Sequence, residues 1–262
     1  LREDGEHGSR RLYYTRNSYT VTYKYDGTVP EGASELPKAE TYKYGATVTI
    51  AADATAPGYR FNKWSRTESF TMPNEDVEIT GSFTARGDTP YTVKHFLQNV
   101  NGTGFSEDEA LTDNLTGETG TKATANPKAI PGFTFDETVE GTLTEGTITG
   151  DGNLVLNLYY TRNSYEVTYE YEGTVPTGAS VLPLKASYKY DREVRVAAPA
   201  TAPGYTFSGW DRSGTFKMPA ENVVIKGSFT ANADTVYQVE HYKQNLEDDG
   251  FTLAETERGL KG

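Results

Sequence analysis

The chain has no cysteine, two methionines, two tryptophans and three histidines among its 262 residues. Without cysteine there is no disulfide framework, no thiolate metal site and no thiol nucleophile. Positive charge is also short. Lys and Arg number 25 against 37 Asp and Glu, for a formal charge of −12, so the basic footprint that holds nucleic acid or an anionic membrane is missing. No apolar run approaches the roughly 18 residues of a membrane-spanning helix, and the first residues lack the pattern of a signal peptide. The chain therefore reads as a fragment whose targeting signals, if any, lie elsewhere, with no nucleic-acid and no membrane partner expected. What is abundant is tyrosine, 19 residues, together with Thr and Val. These side chains suit pleated, half-buried surfaces, and the expected fold class is mainly β with at most short helices.

The dominant feature is an internal repeat. A shift of 146 residues carries Leu12 to Leu158, Trp64 to Trp210, Met72 to Met218 and His95 to His241, and 54 of the 88 positions from Leu12 to Asn99 are identical in the second copy. The run LYYTRNSY recurs unchanged at Leu12–Tyr19 and Leu158–Tyr165. Within one period two kinds of module separate. The first spans 18–86 and returns at 164–232. In it Tyr19, Val21, Tyr23 and Tyr25 alternate with polar residues as in a half-buried strand, and Asp26-Gly27 ends that strand with a turn. Tyr42, Tyr44, Ala46, Val48 and Ile50 predict a second strand, and Val77, Ile79, Gly81 and Phe83 another. In YRFNKW, Tyr59 and Phe61 share a parity that Trp64 breaks, which predicts a bulge near Asn62 or Lys63.

The second kind of module spans 90–163. It opens on Tyr91, Val93, His95 and Leu97 and closes on Leu154, Leu156, Leu158 and Tyr160, both alternating. Between them Ser106 and Glu109 fit a capping box and predict a short helix, with Thr252 and Glu255 as the counterpart in the next copy. Residues 236–262 then form the first part of a truncated module of this kind, and residues 1–17 the last part of a preceding one. Leu12–Asn17 should accordingly be an orphan closing strand, poorly packed or paired with something it does not normally meet. Thr-Arg-Asn is the only spacer after the closing strand, so that junction should be stiff. The opposite junction, TARGDTP or TANADTV, should bend more readily.

Candidate chemistry is sparse. A Ser-His-acid site needs a base within reach of a nucleophile, and the only histidine bases are His7, in the polar N-terminal remnant, and His95 and His241, on an early strand, where a sheet residue is the plainer reading. NLEDDG at Asn245–Gly250 resembles the start of an EF-hand loop, but its twelfth position is Thr256 rather than Glu and the earlier copy reads NVNGTG, so a solvated loop is expected. Asp4-Gly5, Asp26-Gly27 and Asp151-Gly152 read as turns. Trp64 and Trp210 could stack on sugars if exposed, but they lie in runs that alternate toward a core. Asn101-Gly102-Thr103 and Asn114-Leu115-Thr116 are formal glycosylation sequons. The one pointed binding motif is Arg86-Gly87-Asp88 in the linker, an RGD tripeptide that could offer a carboxylate to an integrin's metal and a guanidinium to an acidic partner. The other copy reads Asn232-Ala233-Asp234, which weighs toward a plain linker. No catalytic residue, metal site or cofactor is expected.

TVPTGASVLP, TAPGYTFSGW and FKMPAENVVIKGSFTA, with their counterparts from Gly27 to Ala85, resemble the SHIRT domain, the streptococcal high-identity repeat in tandem. LTGETG, PGFTFD and LVLNLYYTRN resemble, more loosely, the mucin-binding-protein (MucBP) repeat. These resemblances imply small β-grasp-like modules stacked as an elongated rod, on a monomeric adhesin of Gram-positive bacteria that is attached to the cell wall outside this segment. They imply no catalysis. The rod would project an adhesive tip, and one 146-residue period would advance roughly 50–70 Å. The alternative implied is direct recognition of host mucin or another glycoprotein by the MucBP-like module, through an exposed aromatic and polar cluster.

Overall fold

The computed structural model describes residues 10–260, so His7, Asp4-Gly5 and the last two residues of the chain lie outside the described residues. The described chain is nearly all β, and its one helical feature is a 3-10 turn at Glu109–Leu111. It divides into two compact units, one of residues 10–95, 109–126 and 140–158, the other of 96–108, 127–139 and 159–260.

In the first unit Ser18–Tyr25 (β1), Glu40–Lys43 (β2), Thr47–Val48 (β3), Tyr59–Trp64 (β4), Phe70–Thr71 (β5) and Val77–Ala85 (β6) build a sheet of order β2-β1-β6-β4 and a small β3-β5 ribbon. The central pair is parallel, with Val21 beside Val77 and Tyr23 beside Ile79. Parallel neighbours require a long crossover, and β2 to β5 fall within it. The alternation in β1 turns Val21 into a core with Val48, Trp64, Met72, Val77 and Ile79. Tyr25 stacks on Trp64, ring centres 5.8 Å apart and planes at 9°, while Tyr23 meets the same indole edge-on at 4.9 Å. Aromatic rings bury large areas per residue, which suits a small core with no disulfide.

The bulge lies where the broken parity placed it. Phe61 pairs with Phe83 but Trp64 pairs with Gly81, and Lys63 takes a φ of 72°. Gly81 leaves the room for this: a Cβ there would sit 2.4 Å from the Phe61 ring. The expected strand through Tyr42–Ile50 is corrected. β2 ends at Lys43, the turn at Gly45 has a φ of 80°, and β3 leaves the main sheet to pair with β5. Alternation survives across this turn, so parity alone could not reveal the break.

The middle stretch contains Thr89–Gln98 (β7), Phe105–Glu107 (β8), Asp113–Gly117 (β9), Lys122–Thr124 (β10), Phe133–Phe135 (β11), Glu145–Thr147 (β12) and Val155–Arg162 (β13). Its sheet has the order β11-β13-β7-β8, with β9 also on β7, and β10-β12 is a separate ribbon. The Thr92 amide donates to the Leu154 carbonyl and the Arg162 amide to Gln98 Oε1. Partner numbers rise together along both strands, so β7 and β13 run parallel, as β1 and β6 do. The two kinds of module thus share one strand order despite their different sequences. Val93, Leu156, Leu158 and Tyr160 are buried, and Lys128 donates its amide to the Tyr160 hydroxyl.

The expected helix at Ser106–Glu109 is corrected as well. Ser106 lies in β8 and its hydroxyl donates across the hairpin to Asn99 Oδ1, leaving only the 3-10 turn that begins at Glu109. An isolated turn cannot meet the cost of helix nucleation when strand pairing competes for the same residues.

The second unit repeats the first module. Ser164–Glu172 (β14), Ala186–Lys189 (β15), Glu193–Arg195 (β16), Tyr205–Trp210 (β17), Thr215–Lys217 (β18) and Val223–Ala231 (β19) form a sheet of order β15-β14-β19-β17 and a β16-β18 ribbon. Gly209 occupies the bulge position of Lys63, with φ 90°. Val236–Gln244 (β20) and Phe251–Leu260 (β21) follow as a two-stranded hairpin. Thr252 and Glu255 lie inside β21 and not in the expected helix, and Thr252 repeats the Ser106 bond by donating to Asn245 Oδ1.

Candidate functional site: the junctions between modules

His95 is fully buried on β7, with Nε2 3.4 Å from Asp113 Oδ2, so its ring has no face that a substrate could reach. His241, one repeat later, is exposed and 3.8 Å from Glu257. Among the described residues no group of three or more His, Cys, Asp or Glu side chains could hold a metal. In NLEDDG, Asp248 accepts from the Asn245 side chain and the Gly250 amide, and these donors hold its carboxyl below the usual range. It closes the β20–β21 turn. Trp64 donates to the Ala52 carbonyl and Trp210 to that of Ala198, both at 3.0 Å, and each indole already carries a stacked tyrosine.

Bonding of another kind gathers where one module meets the next. At the first junction, within the first unit, β6 ends at Ala85 and β7 begins at Thr89. The Arg86 amide donates to the Gly58 carbonyl, and the Thr119 amide donates to the Arg86 carbonyl, both at 2.9 Å. The Thr119 hydroxyl, buried, donates to the Gly58 carbonyl and lies 2.6 Å from the Thr89 hydroxyl. Backbones meet here: a Cβ on Gly150 would stand 2.0 Å from the Pro57 oxygen. The residues of the expected RGD site, Arg86, Gly87 and Asp88, form the connection itself. Arg86 Nε and one terminal nitrogen donate to the two Asp88 carboxylate oxygens, each at 2.9 Å. The guanidinium holds the Asp88 carboxyl below the usual carboxylate range, and both side chains remain exposed.

At the second junction, within the second unit, Asn163 alone separates β13 from β14, so Thr161 and Arg162 of the expected spacer belong to the strand. The Arg162 guanidinium lies over Phe133 at 4.6 Å and near Tyr190 at 5.7 Å. Its Nε donates to the Gln98 carbonyl and a terminal nitrogen to the Tyr190 carbonyl, both at 3.0 Å. Lys189 Nζ donates to the Arg162 carbonyl. The Asn163 amide donates to the Gly132 carbonyl and the Tyr190 amide to the Asn163 carbonyl. Gly132 admits the Tyr190 ring, which a Cβ would meet at 2.3 Å. One cation therefore ties β7, β13 and the loop after β15 through charge-assisted hydrogen bonds, stronger than those of a neutral donor.

The flanking modules are the part that a known family matches. Residues 18–87 and 165–233 both match the family described as the divergent InlB B-repeat domain. The chain belongs to that family. No curated protein matches it. Among solved structures it is similar to the SHIRT domains 3-4 from a cell surface protein, at 15% identity over 80% of this chain and 96% of that one, with a TM-score of 0.22. It is also similar to the Bacillus anthracis TIE protein, at 12% identity over 83% of this chain and 51% of that one, with a TM-score of 0.35.

The two B-repeats stop at the junctions, and the residues that lock those junctions come from outside them as well as inside. Thr119, Gly150, Phe133 and Gly132 lie between the matched segments. Nothing local in the sequence marks Thr119, whose partner Gly58 lies 61 residues away, or the close approach of Gly150 to Pro57. Arg162 did carry a signal, as the one charge in an unbroken run that recurs intact.

Proposed function

We propose that this chain is a non-enzymatic spacer region of a bacterial cell-surface protein, a stalk of B-repeats alternating with modules of the same strand order that holds an adhesive tip away from the cell wall. The observation that carries this reading is the Arg162 junction. A single residue separates consecutive strands there, and their backbones are bonded on both sides of it, as a load-transmitting connection requires. The resemblance of residues 27–85 and their counterparts to SHIRT repeats supports an extracellular location, with attachment through regions outside this chain. No helix among the described residues is long and apolar enough to cross a membrane.

Single-molecule stretching of the full chain tests the proposal. Modules that unfold one by one at high force, with no extension from the junctions beforehand, support the spacer; junctions that yield first overturn it.

The second reading is direct glycoprotein binding by residues 90–163. It is favoured by a partly exposed aromatic trio in the second unit, where Phe96 stacks on Tyr159 at 4.7 Å and Phe105 meets the same ring edge-on at 5.2 Å. Retention of the full chain on immobilised mucin, lost on Tyr159→Ala, would establish it. The integrin reading of Arg86-Gly87-Asp88 requires the Arg86–Asp88 pair to open so that each end meets its own partner. Loss of cell binding on Asp88→Glu supports that reading, and unchanged binding sinks it.

A further inference from the structure

The Asn101-Gly102-Thr103 sequon has no part in either junction, yet it is the one place in the chain where Gly follows Asn. Of thirteen asparagines, the other twelve precede a residue with a side chain. The pair lies in the second unit, in the turn between β7 and β8, and both residues are exposed. Gly102 takes a φ of 82°, and a Cβ there would meet nothing within 4 Å. The approach to its amide nitrogen is therefore open.

The Asn101 side chain folds back over the main chain, its Oδ1 accepting from the Thr103 amide at 3.1 Å, as in an Asx-turn. That bond draws electron density from Cγ, the carbon that a neighbouring nucleophile would attack. Asn99, two residues earlier, is held differently. It donates to the Thr103 carbonyl at 3.0 Å and accepts from the Ser106 hydroxyl at 2.8 Å, and the side chain of Val100 crowds the amide that follows it.

We propose that Asn101 is a site of spontaneous conversion to isoaspartate, and that the conversion loosens the β7–β8 turn. The Gly102 amide first leaves the Asn99 carbonyl, 2.9 Å away, by the kind of local opening that exposed turns undergo. Its proton goes to hydroxide, and the nitrogen attacks Asn101 Cγ. A new C–N bond forms, the bond from Cγ to Nδ2 breaks, and the leaving nitrogen takes up a proton from water and departs as ammonia. Water then opens the cyclic imide. Cleavage of the new bond gives aspartate, and cleavage of the original peptide bond gives isoaspartate, with the main chain running through Cβ and Cγ. The net change is amide plus water to carboxylate plus ammonium, with nothing oxidised or reduced. Isoaspartate adds one atom to the backbone and one negative charge, so the Gly102–Asn99 and Thr103–Asn101 bonds that close the turn cannot both survive. The turn joins the strands that carry Phe96 and Phe105, two rings of the trio on Tyr159.

Incubation of the full chain at neutral and mildly alkaline pH, followed by tryptic digestion, tests the proposal. The peptide His95–Lys122 holds Asn99, Asn101 and Asn114, so fragmentation compares three asparagines under identical conditions. Asn101 should lose its amide about tenfold faster than the other two, a difference of about 1.4 kcal/mol in the barrier. The rate should rise with pH, and isoaspartate, read with an isoaspartyl methyltransferase, should exceed aspartate. Asn101→Gln, whose longer side chain closes a less favourable ring, should remove the methyltransferase signal from this peptide. Hydrogen exchange at the Asn99 and Gly102 amides should be faster in the aged chain than in the fresh one. Equal losses at the three asparagines, aspartate without isoaspartate, a rate indifferent to pH, a signal that survives Asn101→Gln, or unchanged exchange in the turn would each overturn the proposal.

Discussion

Leu12–Tyr19 and Leu158–Tyr165 are the same eight residues with two fates. In the later copy Leu158 and Tyr160 are 0% exposed, and the run is central strand as far as Arg162. In the earlier copy the same leucine and tyrosines are largely exposed and in no strand. The last two residues behave alike in both, since Ser18-Tyr19 opens β1 and Ser164-Tyr165 opens β14. The division follows the location of the partners. β1 and β14 pair with strands that come later in the chain, whereas the closing strand needs β7 and β11, which precede β13. Strand propensity is an offer that only a neighbour can accept.

The sharpest way to probe this contrast is to truncate the same residue in both places. Leu158→Ala should cost about 2–5 kcal/mol, as expected for a fully buried leucine, and Leu12→Ala less than about 0.5 kcal/mol, as for a surface site. Denaturant midpoints of the two variants measure the difference, and equal losses would break the comparison. Arginine offers the next largest contrast. Among the described residues the Arg16 side chain keeps only the bond to the Tyr44 carbonyl, at 2.8 Å, which corresponds to the Arg162 bond to Tyr190. Arg162→Ala should cost about 1.5–3 kcal/mol for its charged hydrogen bonds, and Arg16→Ala far less, by the same assay. Hydrogen exchange at the Asn163 amide, which bonds to Gly132, should rise in the first variant only.

The first junction offers a contrast between two glycines. Gly150→Ala pushes a methyl into the Pro57 carbonyl and should cost about 1–3 kcal/mol through overpacking. Gly87→Ala, with nothing within 4 Å of the added carbon, should be close to neutral in the same melt. The smallest effect belongs to the bulge. Gly209→Lys copies Lys63 into the second B-repeat and should cost about 1 kcal/mol for its left-handed backbone. A larger loss would mean that the two bulges differ beyond their backbone.

Much of the fold was legible because it repeats and because alternation is a local signal. The parity break in YRFNKW located the bulge, and the alternation in β1, β6, β7 and β13 located their buried faces. The division of one alternating run into β2 and β3 was not legible, since a left-handed residue at Gly45 leaves parity intact. Ser106 and Glu109 satisfied a helix signature that lost to hairpin pairing. Of the junctions, the sequence revealed their place and composition but not their bonds, because Thr119 and Gly58 lie 61 residues apart and Arg162 and Gln98 lie 64 apart.

By itself the sequence determined the period, the β class, the absence of thiol chemistry and the side of each strand that turns inward, all of which follow from side chains and their spacing. Tertiary structure decided the rest: that both kinds of module share one strand order, that Arg86 and Asp88 pair with each other, and that Leu158 and Tyr160 are core while Leu12 and Tyr14, of the same octapeptide, are exposed. The physical reason is that a strand satisfies half of its backbone hydrogen bonds with each neighbour. Those neighbours are chosen by the whole chain and not by the strand.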